Sequence, residues 1–288
     1  MKFCLTVLLL IGATGIGVFI PGRITEAVGV ADKMSVEEIV SKHLESIGPA
    51  SARAAAGGRV IAGTTQVTFR SSGIAQTEGG AVLASDGIKS MVTMKFQSSQ
   101  YPYEKIGFDG NKVTAYQEPG ASYSSLGSFA RANPEMFKEG LIGGALSSAW
   151  SLLDLSHKKA KLESAGTKKV DSRQLVEIRY FPRGGSDLKI SLFFDAESFQ
   201  HVRTVYNKVI SAQMGRTVDQ SARMSETRYQ LVEEFSDFKT EGGMTLPHTY
   251  KIHFEQQGAG TQISDWVMTL VRFAFKQHLD SKDFNVGD

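Results

Sequence analysis

Period-two alternation through residues 188–206 limits what this chain can become more than any other feature. Leu188, Ile190, Leu192 and Phe194 alternate with Lys189 and Ser191, the pattern of a strand with one buried face. Asp195, Ala196, Glu197 and Ser198 interrupt it with turn formers. Val202, Thr204 and Tyr206 resume it. A β-hairpin is expected here, and similar segments recur on both sides of it.

Upstream, Ile61, Thr65, Val67 and Phe69 share one strand face, with Gly63 between them. Asp86-Gly87 and Asp109-Gly110-Asn111 each separate two alternating runs, which signals hairpins and therefore an antiparallel meander. Downstream, Val176, Ile178 and Tyr180 alternate, as do Tyr229, Leu231 and Phe235, and Tyr250, Ile252 and Phe254. Residues 266–275 are apolar in both phases: Trp266, Met268 and Leu270 in one, Val267, Val271, Phe273 and Phe275 in the other. That strand is expected to be buried on both faces. The 29 glycines and 7 prolines suit many turns between unbroken strands.

Two helical regions interrupt the strands. Ser35 and Glu38 form a capping box, and Val36, Ile39, Val40, Leu44 and Ile47 follow at helical spacing until Gly48-Pro49. Residues 50–56 read as an alanine-rich turn. The second region is a helical insert at about residues 129–155. A serine-rich loop over residues 120–128 precedes it, Asn133-Pro134 opens a helix, and a further helix is expected over residues 144–155. Ala145, Leu146, Ala149, Trp150, Leu152 and Leu153 give that helix an apolar face. Residues 211–225 read as a long polar loop. The expected fold is mainly β, of the α+β class: a strongly curved antiparallel sheet or half-open barrel, its concave face covered by the N-terminal helix and the insert.

Residues 1–27 read as a secretory signal peptide, leaving residues 28–288 as one domain. Lys2 precedes an apolar run at residues 3–20, and Ala27 or Ala31 ends a small-residue cleavage site. The alternative is an uncleaved membrane anchor. Cys4 is the only cysteine and would leave with the signal, so disulfide and thiolate chemistry are not expected.

The net charge of +2, with no basic stripe interleaved with aromatics, argues against nucleic acid. None of the six histidines, His43, His157, His201, His248, His253 and His278, has the spacing of a zinc helix; no metal or cofactor is expected. His201 and His253 read as exposed sheet residues. Asp154 and His157 lie near Ser147 and Ser148 in sequence, but no nucleophile-elbow pattern accompanies them. Glu233 and Glu234 are adjacent on a strand and must face opposite sides. Arg173, Arg179 and Arg183 read as a solvated strand face.

Three stretches resemble the bacterial outer-membrane lipoprotein-sorting family. They are Leu192-Phe193-Phe194-Asp195, Glu234-Phe235-Ser236-Asp237-Phe238 and Gly242-Gly243-Met244-Thr245-Leu246-Pro247. The resemblance implies a half-open barrel that carries acyl chains across the periplasm. The expectation is an exported, non-enzymatic, monomeric protein that binds a lipid or a lipoprotein in outer-membrane biogenesis. The ligand-binding residues expected on the insert are Leu141, Leu146, Ala149, Trp150 and Leu153. The alternatives are an envelope scaffold or regulatory module binding a protein partner through the same sheet and, last, a hydrolase.

Overall fold

A computed structural model describes residues 34–71, 73–212 and 226–287. The signal-like segment and most of the polar loop at residues 211–225 lie outside the described residues.

Helix α1 (Val36–Ile47) begins where the sequence requires. The Ser35 side chain accepts from the Glu38 N–H, and the Glu38 carboxylate accepts from the Ser35 N–H. Its apolar stripe faces inward through Ile39, Val40 and Ile47. Residues 50–56 are a helix, α2 (Ala50–Ala56), rather than a turn; alanine's helix propensity carries them through two turns.

Twelve strands follow: β1 (Gly58–Arg70), β2 (Ile74–Asp86), β3 (Lys89–Phe96), β4 (Tyr103–Phe108), β5 (Val113–Ala115), β6 (Lys161–Val170), β7 (Arg173–Phe181), β8 (Lys189–Asp195), β9 (His201–Ile210), β10 (Thr227–Glu241), β11 (Met244–Gln257) and β12 (Thr261–Gln277). They form one sheet in the order β5-β4-β3-β2-β1-β12-β11-β10-β9-β8-β7-β6. Every pairing is antiparallel. Each half is a meander, and β1 and β12 join the halves. The sheet is curved and unclosed, with β5 and β6 as its edges, and one hydrophobic core lines its concave side.

Two of the register shifts among the described strands overturn an expected burial. In β9 the register slips between the pairs Phe193↔Arg203 and Phe194↔His201. Val202 therefore packs with Leu175 and Phe193 on the outer face, not with Thr204 and Tyr206. His201 turns inward and is buried, contrary to its expected exposure; His253 is half-buried. In β12 the register slips opposite Ala62 and Gly63, so Val271 is the extra residue and stands exposed. Trp266, Met268 and Leu270 face the core, while Val267 points out. Beyond the bulge Phe273 and Phe275 take the inward phase and pack against the core. β12 is thus not buried on both faces; it is a one-faced strand with a phase change.

The insert departs most from expectation. Helix α3 (Ser125–Ala132) starts inside the stretch read as a loop, capped by the Ser124 hydroxyl. Helix α4 (Glu135–Lys138) is a single turn after Asn133-Pro134. The helix expected at residues 144–155 does not form. Two 3-10 turns, Gly144–Leu146 and Ser151–Leu153, and the short helix α5 (Leu155–Lys158) take its place. Gly140, Gly143 and Gly144 have positive φ, which breaks helical continuity. A Cβ at Gly140 would lie 1.8 Å from the Ala149 carbonyl oxygen. The apolar side chains wrap the sheet as a compact loop, burying the same residues without the helix.

Candidate functional site

The insert fills most of the concave space. Leu141, Leu146, Ala149 and Trp150 are buried, and Leu153 is partly buried against the same core. Trp150 is 1% exposed. Its indole N–H donates to His43 Nε2 at 3.0 Å, and its ring stacks on His201 at 4.7 Å between centroids. His43 Nδ1 meets the Phe199 carbonyl at 3.1 Å; accepting from Trp150 at Nε2 makes the Nδ1–H the donor there. Burial holds His43 near a pKa of about 4 and pushes His201 well below its usual value. Both rings are therefore neutral at neutral pH.

Two ionisable side chains of the sheet reach the same loop of the insert. Glu233, fully buried, accepts from the Gly143 N–H at 2.8 Å, the Tyr250 hydroxyl at 2.5 Å and the Tyr206 hydroxyl at 2.8 Å. Arg59 donates to the Ala145 carbonyl at 2.6 Å. Among the described residues neither forms an ion pair. Desolvation pushes Glu233 up to about 7 and Arg59 down to about 10. Residues 143–145 are thus clamped between a buried carboxyl and a buried guanidinium. Glu234, one residue on, faces outward to Arg203 at 3.1 Å, as strand alternation demands.

One of the clefts among the described residues lies at the α3 end of the sheet. A cleft of about 380 Å³ is bounded by the ends of β1, β4 and β12 and by the serine-rich segment before α3. Phe69, Tyr101 and Trp266 make its aromatic corner. Phe69 meets Tyr101 edge-on at 4.8 Å and Trp266 at 6.4 Å. Glu104, 3% exposed, lies at its inner end. Its carboxyl accepts from the Tyr101 hydroxyl at 2.5 Å and the Ser124 hydroxyl at 2.9 Å. Burial pushes it up to about 7 against those two hydrogen bonds. The rim carries Gln100, Glu118, Ser122 and Gln262, with Gln262 bonded to Ser125 at 2.9 Å.

Behind this cleft lies a small apolar void of about 20 Å³, room for about one water. Val92, Met94, Ile106, Ala130, Met136 and Leu231 are among its walls. Glu104 and Leu126 line both spaces, so a single layer of side chains separates them. Glu233 closes the far end of the void. The sequence carried a signal for both carboxyls: Glu104 is in phase with Ile106 and Phe108, and Glu233 with Leu231 and Phe235. Their alternation places each inside.

The remaining candidates do not converge. His157 Nδ1 meets Asp154 at 2.7 Å on the surface. Ser147 Oγ instead accepts from the Ala149 N–H, and Ser148 Oγ donates to the Gly87 carbonyl at 3.4 Å. No triad forms from these residues. Arg173, Arg179 and Arg183 are exposed. Among the described residues no cluster of His, Cys, Asp or Glu could hold a metal ion, and no helix is long and apolar enough to cross a membrane.

No family model and no curated protein matches the chain. Solved structures similar to it include a LolA superfamily protein from Nitrosomonas europaea, at 12% identity and a TM-score of 0.47, covering 88% of this chain and 98% of that one. A putative outer membrane lipoprotein-sorting protein domain from Vibrio parahaemolyticus has 12% identity and a TM-score of 0.49, covering 87% and 97%. The complex of MucA and MucB from Pseudomonas aeruginosa also matches, at 9% identity and a TM-score of 0.24, covering 84% of this chain and 100% of that one.

Proposed function

We propose that this is an exported, non-enzymatic carrier that holds an acyl chain between the concave sheet and the insert, and that the structure is its closed form. One observation carries the reading: an open, partly polar cleft is separated from an apolar interior only by Leu126 and Glu104. The cleft is of ligand-pocket size, whereas the void behind it is too small for an alkyl chain. Binding therefore requires α3 to move away from β4 and β5. A dozen methylenes buried in the opened space would contribute on the order of 10 kcal/mol at ~0.8 kcal/mol each, before ordering costs. In this reading Leu141, Leu146, Ala149, Trp150 and Leu153 meet the chain only after the insert has shifted. The Gly140, Gly143 and Gly144 backbone gives that shift its hinge.

A disulfide tests this directly. A Cβ at Gly127 of α3 would lie 3.2 Å from the Ala115 Cβ of β5, close to disulfide spacing. Gly127→Cys with Ala115→Cys, in a Cys4→Ser background, should bind a dansyl-labelled alkyl amphiphile with an uncharged head when reduced. Oxidation should weaken binding at least tenfold. Equal binding in both states would show that α3 is not the gate, and an absence of binding in the wild type would end the carrier reading.

A further inference from the structure

The cleft is lined by carboxyls and aromatic faces and, among the described residues, by no free cation. Of the described residues lining it Arg70 alone is basic, and its guanidinium is paired with Asp265 at 2.5 Å. Lys105 neighbours Glu104 on β4 and therefore points to the other face of the sheet. Its ammonium lies over Tyr103 at 4.3 Å and Tyr116 at 5.1 Å, rings that line the outer edge of the cleft, and Lys95 lies over Tyr103 at 5.9 Å. Glu104 is left with two neutral donors, Tyr101 and Ser124. Glu118 on the rim is bonded to the Tyr116 hydroxyl at 2.5 Å. An anionic head at the inner end would meet the Glu104 carboxyl, with Lys105 and Lys95 held on the rings of the outer edge. A cation would meet a buried carboxyl flanked by three aromatic rings, the combination that favours ammonium groups.

A second observation points to the same place. Trp266 is buried and lines the cleft, yet its indole N–H has no hydrogen-bond partner. It is near enough to influence the Tyr101 hydroxyl but satisfies no hydrogen-bond geometry with it. A buried donor without an acceptor is a costly arrangement. A ligand oxygen close to the cation would relieve it.

We infer that the cleft is the head-group subsite of the carrier and takes an amphiphile whose polar head bears an ammonium group. The ammonium lies against Phe69 and Tyr101 and pairs with Glu104, while the alkyl chain passes Leu126 into the opened interior. The inference rests on the carrier reading but selects among its ligands. A phosphate-only or carboxylate head is disfavoured by the same residues.

The test uses three twelve-carbon amphiphiles below their micelle concentrations: dodecylammonium, dodecanoate and dodecyl maltoside. Binding to the full chain is followed by titration calorimetry at pH 7.5. Dodecylammonium should bind at least tenfold more tightly than dodecanoate. Glu104→Gln, nearly isosteric, should remove that preference while the near-ultraviolet circular dichroism of the fold persists. If Glu104→Gln fails to fold, Phe69→Leu at the cleft's edge should weaken dodecylammonium severalfold and leave dodecyl maltoside unchanged. Dodecanoate binding as tightly as dodecylammonium, or a preference that survives the folded Glu104→Gln variant or, where that fails, Phe69→Leu, would overturn the inference. Equal binding of all three heads would sink it and leave the carrier standing; binding of none would sink both.

Discussion

Two of the aromatic clusters of this protein, those around Trp150 and Trp266, are built from similar residues to different ends. Around Trp150 the rings of His43, Phe194 and His201 close on one another, and the indole N–H is satisfied. Around Trp266 the rings of Phe69 and Tyr101 stand at the edge of open space, and the indole N–H has no partner. The first arrangement is that of a close-packed core, although His201 Nδ1 has no partner there among the described residues. The second carries an unfilled donor and a carboxyl without a cation beside a cavity, as a binding surface does. The difference teaches that an apolar stripe with a tryptophan does not by itself locate a ligand site; incomplete satisfaction beside free volume does so better.

The largest expected effect falls on the closed cluster. Trp150→Ala removes a buried ring and its hydrogen bond to His43, leaving a cavity that the sheet cannot collapse into. A loss of about 3–5 kcal/mol is expected, measured as a shift of the urea midpoint at unchanged slope. Tyr103→Ala, at the half-exposed rim of the cleft, should cost less than half as much. Equal losses would mean that the cleft is as structural as the Trp150 cluster, and the contrast would fail.

How much of this was legible beforehand follows from the physics of each part. Strands were legible because period-two burial is a local signal: Ile190, Leu192 and Phe194 lie inside as their spacing demands. Phase changes were not, since nothing around Val202 or Val271 announces a bulge that only the neighbouring strand's register reveals. The apolar residues of the insert were legible as buried but not as non-helical. Three left-handed glycines outweighed the helical spacing of Leu146, Trp150 and Leu153. The cleft was invisible because Phe69, Tyr101, Glu104, Ser124 and Trp266 come from four distant segments that only sheet order brings together.

An intermediate effect is expected from pH, because the buried carboxyls and the buried imidazoles pull in opposite directions. Glu104 and Glu233 have folded pKa values of about 7 against an ordinary 4.5. Between those limits the folded chain holds protons that the unfolded chain releases. Their contribution to stability is therefore complete below about pH 4.5 and is lost as pH rises toward 7. His43 and His201 are depressed below 6.5. The unfolded chain takes up protons there first, so their contribution is complete above 6.5 and is lost as pH falls toward about 4, the value of His43. Glu233→Gln should therefore gain on the order of 1–3 kcal/mol relative to wild type at pH 8 compared with pH 4.5. Denaturation series at the two pH values check this, and parallel wild-type and variant profiles would remove Glu233 from the account.

The smallest effect on stability is expected at the cleft's rim, where the comparison makes its sharpest demand. Gln262 holds Ser125, the first residue of α3, by one exposed hydrogen bond of 2.9 Å. Exposed bonds of this kind contribute little, since water replaces the lost partner. Gln262→Ala should therefore change stability by less than about 0.5 kcal/mol. The same bond ties the gate helix to β12. If α3 must lift for a chain to pass Leu126, removing the tie should raise the rates of ligand entry and release together by a few fold, with little change in affinity. Stopped-flow mixing with the dansyl-labelled alkyl amphiphile separates the two rates. Unchanged rates in a fully stable variant would place the gate elsewhere along the insert. A loss of more than about 1 kcal/mol would mean that the rim of the cleft is core after all.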